Sequence, residues 1–305
     1  MLRYIVVRLG LGLVTVVGMS VLIFLIMRTS GDPVDLYLPQ TASVEQRQEL
    51  RADLGLDRTL PEQYVRFAAD AAVGDLGRSI SYHLPVWELI SEGLWASIRL
   101  TLVSVGIAAV VGVPIGALTA SRRGSLLDRL GRGVALIGMS VPSFFLGIVL
   151  ILVFAVRIRW FPPGGDDGWK SIVLPAVTLA AFPTAGFIKI TRSAMLEVLN
   201  SDFVMLERLS GFSPHRITWK YALKNVLVPA LSFLGLVLGP TVGGAVVVEG
   251  VFAWPGIGRL AVNAITQRDY PVIQGIVLVI TGIVVAVNLV VDVLYRVIDP
   301  RLAHG

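Results

Sequence analysis

The chain has 305 residues, of which 55% are apolar and only 15% charged, with a net charge of +5 and no cysteine. Mean hydropathy is +0.77, whereas soluble domains average roughly 45–50% apolar and about 25% charged residues. Together these values exclude a soluble enzyme, a disordered chain and a disulfide scaffold. A thiolate metal site is excluded too, and the three histidines (His83, His215, His304) have no metal-ligand spacing.

A membrane-spanning helix needs about 20 apolar residues. Six stretches qualify: Ile5–Met27, Trp95–Leu118, Val134–Val156 with Pro142 inside it, Ile172–Thr191, Val226–Val248 and Val272–Val297. The first reads as an uncleaved anchor, because its apolar run is long and Arg28-Thr-Ser-Gly-Asp-Pro33 is no small-residue cleavage site. Basic residues set the orientation. Arg3, Arg8, Arg122, Arg123, Arg129, Arg132, Lys189, Arg192, Arg208, Arg216, Lys220, Lys224, Arg296 and Arg301 fall on one side of this frame. The short segments opposite carry far fewer, so the positive-inside rule predicts cytoplasmic termini. Trp95, Trp160, Trp169 and Trp254 are expected in the opposite interface.

Segments outside the bilayer have their own signals. In 29–94, Ser43 with Gln46 resembles a capping box and Gly55 is expected to close that helix. Pro61 suits the first turn of a second helix ending at Gly74, and Pro85 precedes an amphipathic run over Val86–Gly93. In 192–225, Ser201 or Asp202 can open a helix through Leu209, Gly211 breaks it, and Ser213 caps another with Pro214 in its first turn. Such a loop can dock on a partner or lie on anionic headgroups. The predicted organisation is a first spanning helix (1–28), an extracytoplasmic helical cap (29–94), a five-helix core (95–299) and a cytoplasmic tail (300–305).

Polar residues within spans are candidates for a translocation path. Asn288 and Asp292 share a helix face, and Ser143, Thr241, Thr178 and Thr184 add hydroxyls; ties between helices explain them as well. Gly235, Gly239, Gly243 and Gly244 suggest close helix packing at a subunit interface. There is no G-x-x-x-x-G-K-[ST] phosphate loop and no catalytic constellation, so the chain is not read as an enzyme.

Gly31-Asp32-Pro33, Leu54-Gly55-Leu56-Asp57, Gly74-Asp75-Leu76-Gly77-Arg78-Ser79, Val141-Pro142-Ser143-Phe144 and Trp160-Phe161-Pro162-Pro163-Gly164-Gly165 together resemble the B-type permease of the dipeptide/oligopeptide family of ABC importers. The longest such stretch runs Glu249-Gly-Val-Phe-Ala-Trp254-Pro-Gly-Ile-Gly-Arg-Leu260, followed by Asp269-Tyr270-Pro271 and a terminal Asp299-Pro300-Arg301. The loop with Gly211 and Pro229 is similar to the family's coupling loop, although Leu206 and Glu207 stand where the family usually has small residues.

The resemblance implies an all-α polytopic membrane protein with six transmembrane helices and the type I ABC-importer permease fold. It implies a second homologous permease, two P-loop ATPase subunits using ATP and Mg, and an extracytoplasmic peptide-binding protein, with no cofactor on this chain and no nucleic-acid partner. It places the protein in the bacterial inner membrane and couples it to the ATPases through the 202–224 loop. It assigns ATPase docking to Glu207, Arg208, Gly211, Phe212, Ser213 and Arg216. It assigns the external gate and binding-protein side to Glu249, Phe252, Trp254, Pro255, Gly256 and Gly258. The expected cargo is di- or oligopeptides; nickel chelates or glutathione are the alternative, and a proton-coupled secondary transporter is the reading from another class.

Overall fold

The computed structural model describes residues 2–29, 34, 38, 41–53 and 56–298. Gly31 to Pro33, Gly55, the Asp292 side chain and the terminal Asp299-Pro300-Arg301 lie outside the described residues. Helices dominate because hydrocarbon supplies no water to backbone groups, so each peptide must be satisfied within its own segment. The spanning helices are α1 (Leu2–Thr29), α4 (Val86–Ser121), α7 (Val173–Leu199), α9 and α11 (Tyr270–Ile298). Helix α9 begins as Pro214–Arg216, widens into a π turn over Ile217–Ala222 and runs on as Leu223–Val251. Short helices α2 (Val44–Asp53), α3 (Leu60–Ala72), α8 (Asp202–Leu209) and α10 (Ile257–Gln267) lie between them.

The third predicted span takes a different form. It is two helices, α5 (Leu126–Ser140) and α6 (Ser143–Leu150), the latter widening over Ile151–Arg157. They are bent by 106° and count as a sixth span only together. The cause is local. A residue before proline is pushed out of the helical region, and Val141 and Pro142 are both extended, at ψ 123° and 136°.

The chain divides into two compact units. The first comprises Met1–Trp95 and Arg259–Val293. Its α2 carries the predicted box: the Gln46 backbone N–H donates to Ser43 Oγ at 3.2 Å, and Ser43 N–H donates to Gln46 Oε1 at 3.0 Å. Helix α3 has a box the sequence reading missed, with Thr59 N–H donating to Glu62 at 3.1 Å. It ends ahead of Gly74, whose φ of +87° only glycine adopts freely. Helix α3 packs on α1 through Tyr64 and Phe67 against Phe24, at 5.5 and 5.9 Å between rings. At the foot of α11, the buried Asp269 accepts from Ser79 Oγ at 2.5 Å and from the N–H groups of Ile80 and Ser81 at 3.2 and 3.1 Å. This ties the 77–85 turn to the last span.

The second unit comprises Ala96–Gly258 and Leu294–Gly305. Helices α4 and α7 touch where Gly112 and Gly116 remove side chains. A Cβ on Gly116 would lie 2.7 Å from Thr191 Cβ and 2.8 Å from the Ile188 carbonyl. The four-residue glycine spacing is a signal for close helix approach that the sequence reading did not use. Helix α5 is fixed to α7 by the buried Asp128, which receives Arg192 Nε at 2.8 Å, Arg192 Nη2 at 3.2 Å and the Gly124 N–H at 3.0 Å. Overpacking such a contact costs about 1–3 kcal/mol. Gly116→Val is therefore expected to lower the melting temperature of the purified chain, while Gly133→Ala, where a Cβ meets nothing within 4 Å, leaves it unchanged or raised.

Candidate functional site

Three places gather the predicted site residues. The first is the loop between α7 and α9. Ser201 sits at the N-cap of α8, but its hydroxyl donates back to the Val198 carbonyl at 2.7 Å rather than capping. Gly211, at φ +83°, turns the chain. Ser213 Oγ then accepts from Arg216 N–H at 3.3 Å, with Pro214 in the first turn as predicted. Phe212 lies between Arg216, 4.6 Å from its ring centre, and Tyr221, 5.6 Å away.

Helix α8 buries Val204 and leaves Leu206 64% and Leu209 76% exposed, with Met205 exposed as well. Arg208 is exposed, and Glu207 Oε2 is shielded without a hydrogen-bond partner. The loop thus presents an uncovered apolar face beside basic side chains.

The second place is the end of α9. Glu249 is fully buried. It accepts from Ser97 Oγ and from the Gly258 N–H at 2.8 Å, while Ser97 Oγ also accepts from Ile257 N–H at 2.9 Å. Gly256 is there for space: a Cβ would sit 2.2 Å from the carboxylate. Phe252 is buried, and its carbonyl receives the Gly165 N–H at 2.9 Å; a Cβ on Gly164 would strike that carbonyl at 2.1 Å. Two separate sequence motifs are therefore halves of one joint.

Trp254 corrects an expectation. It is not in an interfacial belt but is completely buried. Its indole Nε1–H donates to the Ala96 carbonyl at 3.1 Å, and Arg99 lies over its ring at 5.0 Å. Arg99 in turn is paired with Asp166. Trp95, Trp160 and Trp169 are exposed, as a belt requires. Pro255 makes the turn between Trp254 and the Gly256 N–H, which bonds the Trp254 carbonyl at 2.8 Å.

The third place is a cavity of about 270 Å³ at the α5–α6 break. Ser143, Thr178 and Thr241 line it together with Gly138, Pro183 and Gly244. Thr178 and Thr241 donate to the carbonyls of Leu174 and Val237, four residues back, at 2.8 and 2.7 Å, so each hydroxyl hydrogen is committed to its own helix. Thr184 bonds Ala180 in the same way and does not line the cavity. Asn288 is exposed on α11 in the first unit. Among the described residues no cluster of three or more metal-ligating side chains exists. Sequence reasoning missed Ser97, Asp128 and Asp166, and quoted Asp269 only within a motif without giving it a role; an acidic or hydroxyl residue at the edge of an apolar run was the available signal.

These features define a helical multi-pass membrane protein with a broken span, a largely apolar cavity edged by three hydroxyls, and an exposed helix–glycine–helix loop. The chain belongs to the family described as the binding-protein-dependent transport system inner membrane component, which matches residues 112–304, with that family's N-terminal region matching residues 1–101. It is 35% identical over 337 residues to the dipeptide transport system permease protein DppB of Escherichia coli (strain K12), covering 100% of this chain and 99% of that one. It is 36% identical over 316 residues to the oligopeptide transport system permease protein AppB of Bacillus subtilis (strain 168), covering 100% of both. Its fold is similar to a chain of the MetNI methionine ABC transporter in an inward-facing conformation, with a TM-score of 0.58, 21% identity, and coverage of 69% of this chain and 96% of that one. The chain is accordingly an ABC-importer permease, a translocation subunit and not the ATPase.

The buried joint yields a double-mutant test. Glu249→Ala leaves the Gly258 N–H and the Ser97 hydroxyl without their acceptor, a loss of about 1–3 kcal/mol. Gly256→Ala crowds the carboxylate. Each single change is expected to lower the melting temperature, and the pair to cost less than the sum, since alanine at 256 is tolerated once the carboxylate is gone. Additive losses would separate Gly256 from Glu249.

Proposed function

We propose that this permease moves di- and oligopeptides into the cytoplasm of a bacterium from an extracytoplasmic binding protein. The observation that carries the cargo is the end-to-end likeness to proteins named as dipeptide and oligopeptide permeases. In this reading the chain pairs with a second homologous permease. The open strip at Gly239 and Gly243, where a Cβ would meet nothing within 4 Å, supports such a close-packed interface. The protein lies in the inner membrane with both termini in the cytoplasm, as the basic residues argue.

Two ATPase subunits supply the work from ATP and Mg, and this chain binds neither. Their docking surface is the 202–224 loop, with Glu207, Arg208, Gly211, Phe212, Ser213 and Arg216. The uncovered face of Leu206 and Leu209 supports this assignment, and in this protein it makes the docking more apolar than small residues would. Leu206 and Glu207 then fit a partner groove wide enough for them. The Glu249 joint with Phe252, Trp254, Pro255, Gly256 and Gly258 stands at the external gate, and the cavity of Ser143 and Thr241 belongs to the path. Asn288 and Asp292 are kept as path candidates on α11.

The test is uptake of labelled di-, tri- and tetrapeptides, with a nickel chelate and glutathione alongside, in cells with and without the gene. Loss of peptide uptake, restored by the wild-type gene, is expected. Intact peptide uptake with loss of the chelate or of glutathione would move the cargo to that solute. Gly211→Val forces a β-branched residue to positive φ, and Arg216→Glu reverses a charge at the loop. Each is expected to reduce uptake at least tenfold at unchanged membrane level, and unchanged uptake would remove the loop from the coupling role.

A further inference from the structure

The first unit contains a cleft of about 380 Å³ between α1, α3 and α11. Its walls are nearly all apolar: Val17 on α1, Ala68 and Ala71 on α3, and Leu278 on α11, with Trp87 at the rim. Of its polar side chains, Ser20 and Tyr64 are already paired, and Trp87 is exposed. Ser20 donates to the Val17 carbonyl at 2.7 Å and shares a hydrogen bond with Tyr64 Oη at 2.8 Å. No unsatisfied side chain there calls for water, and an apolar cavity stays dry unless an apolar guest fills it.

Two spans fix its depth. Helix α1 has 28 residues and α11 has 29. At about 1.5 Å per residue, Ser20 lies about 7 Å from the middle of α1 and Leu278 about 9 Å from the middle of α11. Half of a hydrocarbon core is about 15 Å. The cleft therefore opens at the level of lipid chains, not of headgroups or water.

Helix α3 roofs it in a matching way. Tyr64, Phe67, Ala68 and Ala71 form one face toward α1, while Glu62, Arg66 and Asp70 are exposed on the other. That is the pattern of a helix lying in the plane of a membrane interface.

We propose that this cleft binds one acyl chain of a bilayer phospholipid, with α3 lying over it at the membrane surface. A packed helix from another subunit fits less well. The lining spans only Val16 to Ser20 on α1 and Leu278 to Val279 on α11, about one turn of each, whereas helix pairs interlock over successive turns. A single flexible chain matches a short, apolar slot.

The test keeps the assembled transporter in its native membrane. Trp87 is replaced by the similarly sized photoreactive p-benzoylphenylalanine, and the complex is irradiated and weighed by mass spectrometry. The expected product is this chain plus one phospholipid. In the background Ala68→Leu with Ala71→Leu, which fills the cleft, the adduct is expected to fall at least fivefold at unchanged membrane level. An adduct to another polypeptide, no adduct, or an undiminished yield in the filled background would overturn the proposal. Should the filled variant fail to assemble, native mass spectrometry of the wild-type complex decides: retention of a phospholipid on this chain through detergent exchange supports the site, and its absence refutes it. The exposed-face control Ala69→Leu is expected to retain the lipid.

Discussion

A carboxylate buried in an apolar protein needs partners for its oxygens, and the end of α9 is organised by that need. Glu249 is wholly enclosed, so its desolvation must be offset by donors in place. Ser97 arrives from α4 and the Gly258 N–H from the turn into α10. Each donor then dictates its neighbours. Gly256 and Gly258 lack side chains because the carboxylate occupies that space. Ser97 is held by receiving Ile257 N–H. Two residues further along α4, Arg99 leaves its charge between Asp166 and the face of Trp254, where a cation gains from the ring quadrupole as well as from the acid. The loop carrying Asp166 is pressed on the Phe252 carbonyl through Gly164 and Gly165. The consequence is that α4, the 160–168 loop and the α9–α10 turn move as one body in any rearrangement that keeps Glu249 buried.

Much of this was legible in the sequence, and the limits have physical reasons. Spans one, two, four, five and six announce themselves because a run of apolar residues has only one stable form in lipid. Ser43 with Gln46, Pro61 and Ser213 with Pro214 were readable because capping is settled within four residues. Trp254 misled because an interfacial indole and a core indole have the same sequence signature; what differs is Arg99, 155 positions earlier by residue number, waiting to stack on it. The partners of Glu249, Asp128 and Asp269 were out of reach for the same reason. Buried carboxylates are satisfied across the fold, at separations no local pattern encodes. Pro142 was visible but its effect was not, because proline in a span kinks or breaks it according to whether its neighbours can receive the freed groups.

The break at Val141–Pro142 shapes the cavity that the proposed reading assigns to the path. A continuous helix would fill its own axis with backbone and present only side chains. Turning by 106° exposes a short stretch of extended backbone beside Thr178 and Thr241, whose hydroxyls are anchored to their own helices. The cavity therefore offers weak, fixed polar contacts and no charge among its lining residues. Contacts of that kind suit a conduit for solutes of variable side chain, since a strong charged site would hold one class of solute and slow its release. Selection by another component, in the proposed reading the binding protein, is consistent with so unspecific a lining.

Coupling, in that reading, must reach this cavity from the α8 face. Rigid connection is built into the second unit. Helix α7 runs as one helix, through an internal Pro183, from the cavity wall at Thr178 to Leu199, with two residues between it and the start of α8 at Asp202. Near its far end, Arg192 grips Asp128 with two nitrogens while Gly124 N–H holds the same carboxylate. Removing one partner of such a buried pair leaves an uncompensated charge, so α5 follows α7 rather than sliding past it. Gly112 and Gly116 bring α4 into backbone contact with α7, and close-packed surfaces of this kind transmit displacement with little loss. In that reading a push on the exposed leucines of α8 shifts α7, α5 and α4 together, up to the extended Val141–Pro142 corner where α5 ends and the cavity begins.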